Sequence, residues 1–260
     1  MSGIREKLAL VTGGSSGMGL EYARQLAAGG YDLLLVSNQS GELGKAQDSL
    51  TGEYGVEVTV RFLDLAAAGA AEELLSFCRS EGLIPDVLVC NAGMFFFKEL
   101  CAADCPLVEK MLGLHVTTVT KMCLLFGEEM KSRGGGKIII MSSMAARLPA
   151  PGITVYSATK AYLMSFGKSL WFEMEPYGVT VTTVCPAAVA TPLYRLKPSL
   201  MRLGVKLGVI HTPKWLVSRA LRAAARGRRI VRPSFMNVYL PPLVALLPSR
   251  LESAIWNKLK

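Results

Sequence analysis

Tyr156, Lys160 and Ser143 are the side chains whose types and spacing best suit joint chemistry. In the run Tyr156-Ser-Ala-Thr-Lys160 a phenol and an ammonium stand four residues apart. On a helix, positions i and i+4 share one face, so both groups would project into the same space. A nearby cation favours phenolate and draws a tyrosine down from its ordinary pKa of about 10. Ser143, thirteen residues upstream, adds a hydroxyl that could hold a carbonyl oxygen while the phenol protonates it. Of the 8 tyrosines only Tyr156 has a lysine four positions on, which singles the pair out. Spacing alone would equally describe two unrelated residues on a helix surface.

The N-terminal segment supplies what such a pair would need. Lys7 to Val11 is a short apolar run, followed by Thr12-Gly-Gly-Ser-Ser-Gly-Met-Gly19 and a helical pattern through Leu20, Ala23, Leu26 and Ala27. A strand, a glycine-rich turn and a helix start form a cradle for the pyrophosphate of a dinucleotide. Gly13 and Gly17 would permit the tight turn and close backbone approach, and Gly19 close helix packing. The spacing is T-G-x-x-x-G-x-G rather than G-x-G-x-x-G, and a purely structural loop would also fit it.

Further β-rich runs lie near 31–37, 56–62, 86–90, 136–142, 179–184 and 229–232. They alternate with helical patterns near 17–29, 42–53, 68–81, 106–133, 154–177 and 212–226. Such alternation argues for a parallel sheet covered on both faces, with ligands at the carboxyl ends of its strands. The 260 residues fit one α/β domain.

Taken in order, these features make the chain similar to the short-chain dehydrogenase/reductase family. The resemblance rests on the glycine-rich turn, Asp64-Leu65, Asn91-Ala92-Gly93, Ser143, Tyr156 with Lys160, and Pro186-Ala-Ala-Val-Ala-Thr191. It covers roughly residues 5–232. It implies a single doubly wound Rossmann-type α/β domain over residues 1–260, with a seven-stranded parallel sheet in the order 3-2-1-4-5-6-7. A substrate loop near 192–211 and a basic, apolar C-terminal extension near 233–260 would complete it.

The resemblance also implies a nicotinamide-dependent enzyme that interconverts a ketone and a secondary alcohol. Tyr156 would be the general acid in reduction, or the base in oxidation. Lys160 would lower its pKa and hold the nicotinamide ribose, and Ser143 would donate to the substrate carbonyl. Ser142 could compete for that last role, though the thirteen-residue offset favours Ser143. Thr12, Gly13, Ser15, Ser16, Gly17, Met18 and Gly19 would receive the phosphates. Asp64, beside Leu65, would accept from the adenine amino group. Asn91, followed by Ala92 and Gly93, would bridge strands beneath the adenine ribose. Pro186, Val189 and Thr191 would meet the nicotinamide end, with Val189 and Thr191 at its carboxamide.

The chain departs from the family pattern in places. His115 falls where the family has an asparagine that kinks a long helix. A histidine there could join a proton relay directly, pack while its backbone does the same job, or mark impaired catalysis. Pro186-Ala187 replaces Pro-Gly, and the added methyl could crowd the nicotinamide. The second strand ends Leu35-Val36-Ser37-Asn38-Gln39 with no acid to hold a ribose 2′-hydroxyl, and no arginine stands at Asn38. Ser37, Asn38 and Gln39 would then serve as neutral donors to a 2′-phosphate, favouring NADP(H) over NAD(H).

Composition narrows the setting. The chain is 51% hydrophobic with mean hydropathy +0.34, apolar for a soluble protein. No charged-plus-apolar signal region precedes the first strand. Val238 to Leu247, broken by Pro241-Pro242, is too short to span a bilayer. The 6 cysteines therefore read as reduced thiols of the cytoplasm. Cys101 and Cys105 have no accompanying ligands at metal-site spacing, so no metal is expected. Charge is uneven: residues 193–260 carry 14 Lys and Arg against the single acid Glu252, a net +13 within a chain of net +9. That excess could be a solvated face, or could meet an anionic substrate or the inner face of an anionic membrane. No recognition module accompanies it, which speaks against nucleic acid.

The stretch from Thr212-Pro-Lys-Trp-Leu-Val to Arg226-Gly-Arg-Arg-Ile-Val-Arg-Pro is similar to a branch holding 3-ketosphinganine and very-long-chain 3-oxoacyl reductases. The resemblance implies an apolar substrate carrying a 3-keto group on a long-chain lipid. Two rivals stand beside it: an NAD-dependent hydroxysteroid or other secondary-alcohol dehydrogenase, and a dinucleotide-binding sensor or membrane-docking protein without turnover. The family's habit of pairing helices implies a homodimer or homotetramer. The candidate faces are Met111/Leu114/Met122/Leu125 and Ala161/Ser165/Leu170, which core packing would equally explain.

Overall fold

The computed structural model describes residues 7–148, 150–190, 210–234 and 236–246, with positions 248, 250, 251, 253 and 257. Seven strands run in chain order as β1 (Leu8–Thr12), β2 (Asp32–Ser37), β3 (Val58–Phe62), β4 (Val87–Cys90), β5 (Gly136–Met141), β6 (Val179–Val184) and β7 (Ile230–Val231). The helices between and after them are α1 (Gly17–Ala27), α2 (Ser40–Tyr54), α3 (Ala70–Ser80), α4 (Cys105–Leu112), α5 (Thr118–Ser132), α6 (Thr154–Met174), α7 (Pro213–Ala225) and α8 (Met236–Ala245). The strands form one parallel sheet in the order β3-β2-β1-β4-β5-β6-β7, as the resemblance implied.

Strand alternation divides the core between the two faces. Leu8, Leu10, Leu34, Val36, Leu88, Ile138 and Ile140 pack against α3, α5 and α6. Their neighbours Ala9, Val11, Leu33, Leu35, Val89 and Ile139 pack against α1, α2 and α7. Successive strand side chains point to opposite faces, so a strand covered on both sides must be apolar throughout. Each fully buried leucine contributes about 2 kcal/mol of transfer free energy.

Two expectations are corrected. The continuous helix expected over 106–133 is two helices, α4 and α5, joined by a π-helical turn at Gly113–Thr117 that contains His115. A π-turn swells the helix and displaces the side chains it carries. The break expected at Pro241-Pro242 is also absent, since α8 runs through both prolines. Pro241 has no N–H to give the Asn237 carbonyl, and the Arg147 guanidinium donates to that oxygen instead at 3.1 Å. Of the two explanations for the apolar helix faces, core packing accounts for Met111, Met122 and Leu170, which are buried in the protomer's own core. The apolar side chains exposed on those helices are Leu112, Leu124, Tyr162 and Phe172.

Candidate active site

A cleft of about 440 Å³ runs along the carboxyl ends of the strands. Its lining includes Gly13, Ser15, Ser16, Gly17 and Met18 after β1, Ser37, Asn38 and Gln39 after β2, and Asp64 and Leu65 after β3. Asn91, Ala92 and Gly93 follow β4, and Pro186 and Val189 follow β6. His115, Tyr156 and Lys160 reach it from the helices. Thr12, Gly19 and Ser143 stand outside the lining, and Thr191 lies outside the described residues. So does the expected substrate loop apart from Ile210 and His211.

The turn after β1 fits a dinucleotide phosphate group. Gly17 has φ +56°, and a Cβ on Gly19 would fall 1.9 Å from the Gly13 carbonyl oxygen, which only glycine avoids. Ser16, at the start of α1, makes no side-chain cap, and the first turn carries no acid. Its amides therefore face the cleft without a side-chain acceptor from Ser16, and the helix end favours an anion. Thr12 lies beneath the turn: its hydroxyl donates to Val89 O and accepts from the Asn91 and Ala92 amides at 2.9 and 3.0 Å. Asn91 Nδ2 donates to Thr12 O, tying β4 to β1.

At the end of β2 the polar groups form a neutral network. Ser15 Oγ and Ser37 Oγ are 2.9 Å apart, Ser15 also donates to Gln39 Oε1, and the Gln39 amide donates to Ser37 Oγ. Asp64 accepts from the Ala66 amide and pairs at 3.3 Å with Lys110, whose place in the lining was not anticipated.

The catalytic candidates are set by a two-way clamp between β5 and α6. Lys160 Nζ donates to Met141 O at 2.9 Å, and Ser142 Oγ donates to Lys160 O at 2.7 Å. That bond commits Ser142 to the backbone. Ser143 caps the following 3₁₀ turn by accepting from the Ala145 amide at 3.1 Å, which leaves its own hydroxyl hydrogen to donate. Burial draws the Lys160 pKa down to about 8. Its ammonium stands 5.6 Å from the centroid of the Tyr156 ring, which Phe95 meets edge-on at 5.0 Å.

His115 is fully buried, and both ring nitrogens are used. Nε2 accepts from the Met94 amide at 2.9 Å, so the ring proton is on Nδ1. Nδ1–H then meets Thr159 Oγ1 at 3.0 Å, and Thr159 passes its own hydrogen to Tyr156 O at 2.8 Å. Burial, with the Lys160 charge nearby, holds the imidazole well below its ordinary pKa and therefore neutral. Thr159 lies inside the Tyr156–Lys160 run, yet nothing in the sequence pointed to its hydroxyl. Ala187 is buried next to Pro186 of the lining.

Fold and cleft together define a class, and comparison with known proteins names it. Residues 7–199 match the short chain dehydrogenase family, and the chain belongs to that family. It is similar to the very-long-chain 3-oxoacyl-CoA reductase of Anas platyrhynchos, 34% identical over 198 residues that cover 74% of this chain and 62% of that one. The Homo sapiens protein of that name is 32% identical over 246 residues, 93% of this chain and 75% of its own. The chain thus spans just under two thirds of the first relative's length. Among solved structures, a short-chain dehydrogenase from Sphingobium yanoikuyae in complex with NADPH superposes with TM-score 0.79 at 25% identity, covering 93% of this chain and 96% of that one.

Proposed function

We propose that this protein is an NADP(H)-dependent reductase that converts a 3-oxo group on a long-chain acyl lipid to a secondary alcohol. The observation that carries this reading is the Tyr156–Lys160 pair in a cleft whose other end is a glycine cradle with neutral donors at β2. Met94, Phe95 and Leu114 make the wall near Tyr156 apolar, which suits an alkyl substrate. Relatives named as 3-oxoacyl-CoA reductases favour an acyl thioester over a 3-ketosphinganine. Self-association into a homodimer or homotetramer belongs to the same reading.

Gly13, Ser16, Gly17 and Met18 would hold the pyrophosphate, and Ser37, Asn38 and Gln39 a 2′-phosphate. The nicotinamide, when bound, supplies hydride to the carbonyl carbon. Ser143 donates a hydrogen bond to the carbonyl oxygen and fixes its direction. Tyr156 gives that oxygen its proton, and the Lys160 ammonium stabilises the phenolate left behind. His115, neutral and doubly hydrogen-bonded, holds the Met94–Phe95 segment against α6 instead of carrying protons.

Titration with NADPH and NADH, then NADPH oxidation with 3-oxoacyl thioesters of increasing chain length, tests the reading. Tighter NADPH binding and a kcat/KM that rises with chain length are expected. A rate no faster on the long thioester than on a small diketone would sink the lipid assignment. Binding without turnover on any carbonyl would leave a dinucleotide sensor.

The pH profile gives a separate check. Lys160 is charged below its pKa of about 8, so kcat/KM for reduction should be level there. Above it the ammonium loses its proton, and the rate should fall about tenfold per pH unit. A profile still level a full unit higher would remove Lys160 from the role.

A further inference from the structure

We propose that the exposed face of α8 is a docking surface for anionic lipid, seating the cleft against a membrane. The proposal rests on the lipid-substrate reading only for what the surface delivers. α8 has no charged residue along Met236-Asn-Val-Tyr-Leu-Pro-Pro-Leu-Val-Ala. At about 100° per residue, Val238, Pro242, Tyr239 and Leu243 of the helix, with Leu246 just beyond it, fall in one arc of about 140°. All five are exposed, with Tyr239 at 70%, Leu243 at 61% and Leu246 at 81%. The opposite side holds Asn237 and Pro241, both buried.

That buried side fixes the helix to the rim of the cleft. Asn237 Nδ2 donates to Cys185 O at 2.8 Å, one residue before Pro186 in the cleft lining. Arg147, in the turn that Ser143 caps, donates to Asn237 O. The apolar face is therefore held at a set place beside the catalytic candidates.

Charge identifies the occupant. Exposed Arg232 and Arg250 lie on either side of the helix in the chain. A second copy on this face would bring its own Arg232 and Arg250 near these, and like charges repel. An apolar arc flanked by arginines matches a bilayer surface, with side chains in the acyl boundary and cations at anionic headgroups. No described helix is long and apolar enough to cross a membrane, so contact through this helix would be lateral.

Flotation of the full chain with vesicles, without substrate, tests this. Vesicles of phosphatidylcholine with phosphatidylserine should carry the protein, and phosphatidylcholine alone about tenfold less. Leu243→Asp with Leu246→Asp should cut binding to the anionic vesicles by about tenfold. NADPH affinity should be unchanged, which reports that the variant is folded. If that double variant loses NADPH binding, Tyr239→Ser serves in its place, with a smaller loss expected. Wild-type protein that stays unbound on both vesicles, or variants that float equally well, would overturn the proposal. A wild-type dimer that the variants dissolve, with no vesicle binding, would assign the face to a second copy. Vesicle binding by a protein with no reductase activity would remove the substrate reading and leave the docking surface standing.

Discussion

Tyr156→Phe is expected to lower kcat for carbonyl reduction about a thousandfold while leaving NADPH affinity within about twofold. The change removes one oxygen and nothing else. The phenyl ring keeps its edge-on contacts with Phe95 and His115. Tyr156 is buried, and the lost hydroxyl is the only phenol in the cleft lining among the described residues. Ser143 could still orient the carbonyl oxygen, but a serine hydroxyl is too weak an acid to replace the phenol near neutral pH. General acids contribute about a hundredfold to ten-thousandfold, and the expected loss lies in the middle of that range. The measurement is kcat on a 3-oxoacyl thioester beside the dissociation constant for NADPH. A fall of less than about tenfold would show that another group supplies the proton. A parallel loss of NADPH affinity would show that the residue binds cofactor and does not act on the carbonyl.

Much of this site was legible in the sequence because its signals are local. The turn from Thr12 to Gly19 and the helix pair Tyr156/Lys160 depend on backbone freedom and on the helical repeat, both of which a few adjacent residues determine. Strand positions were readable because a sheet covered on both faces demands unbroken apolar runs. What escaped was set by contacts distant in the chain. Two prolines read as a break at residues 241 and 242, and the guanidinium that compensates one of them comes from Arg147, 90 positions away. Spacing favours Ser143 over Ser142, and no sequence pattern marks the bond from Ser142 to Lys160 O across β5 and α6. The pattern near 106–133 reads as one helix, and only the resemblance pointed to a kink at His115, where the π-turn lies.

His115 departs most from the family pattern, and its surroundings predict a structural penalty with a pH signature. His115→Ala is expected to cost about 3 kcal/mol of stability, because it opens a buried cavity and orphans the Met94 amide. His115→Gln, whose carbonyl can reach toward the same amide, should recover part of it. The wild-type protein should also lose stability in acid. In the unfolded chain a histidine titrates at about 6.5, while the folded site holds His115 neutral well below that value. Below about pH 6.5 the unfolded chain takes up a proton that the folded site refuses, so stability falls with pH; above it the term vanishes. In His115→Gln that slope should be reduced. A direct proton relay predicts otherwise: His115→Gln would be as inactive as His115→Ala, and wild-type kcat would titrate with a histidine-like pKa. Denaturant unfolding between neutral and mildly acidic pH, alongside kcat for both variants, separates the two. With Nε2 engaged by Met94 and Nδ1–H by Thr159, the ring has no nitrogen left to pass a proton without breaking the contacts that hold the Met94–Phe95 segment against Tyr156.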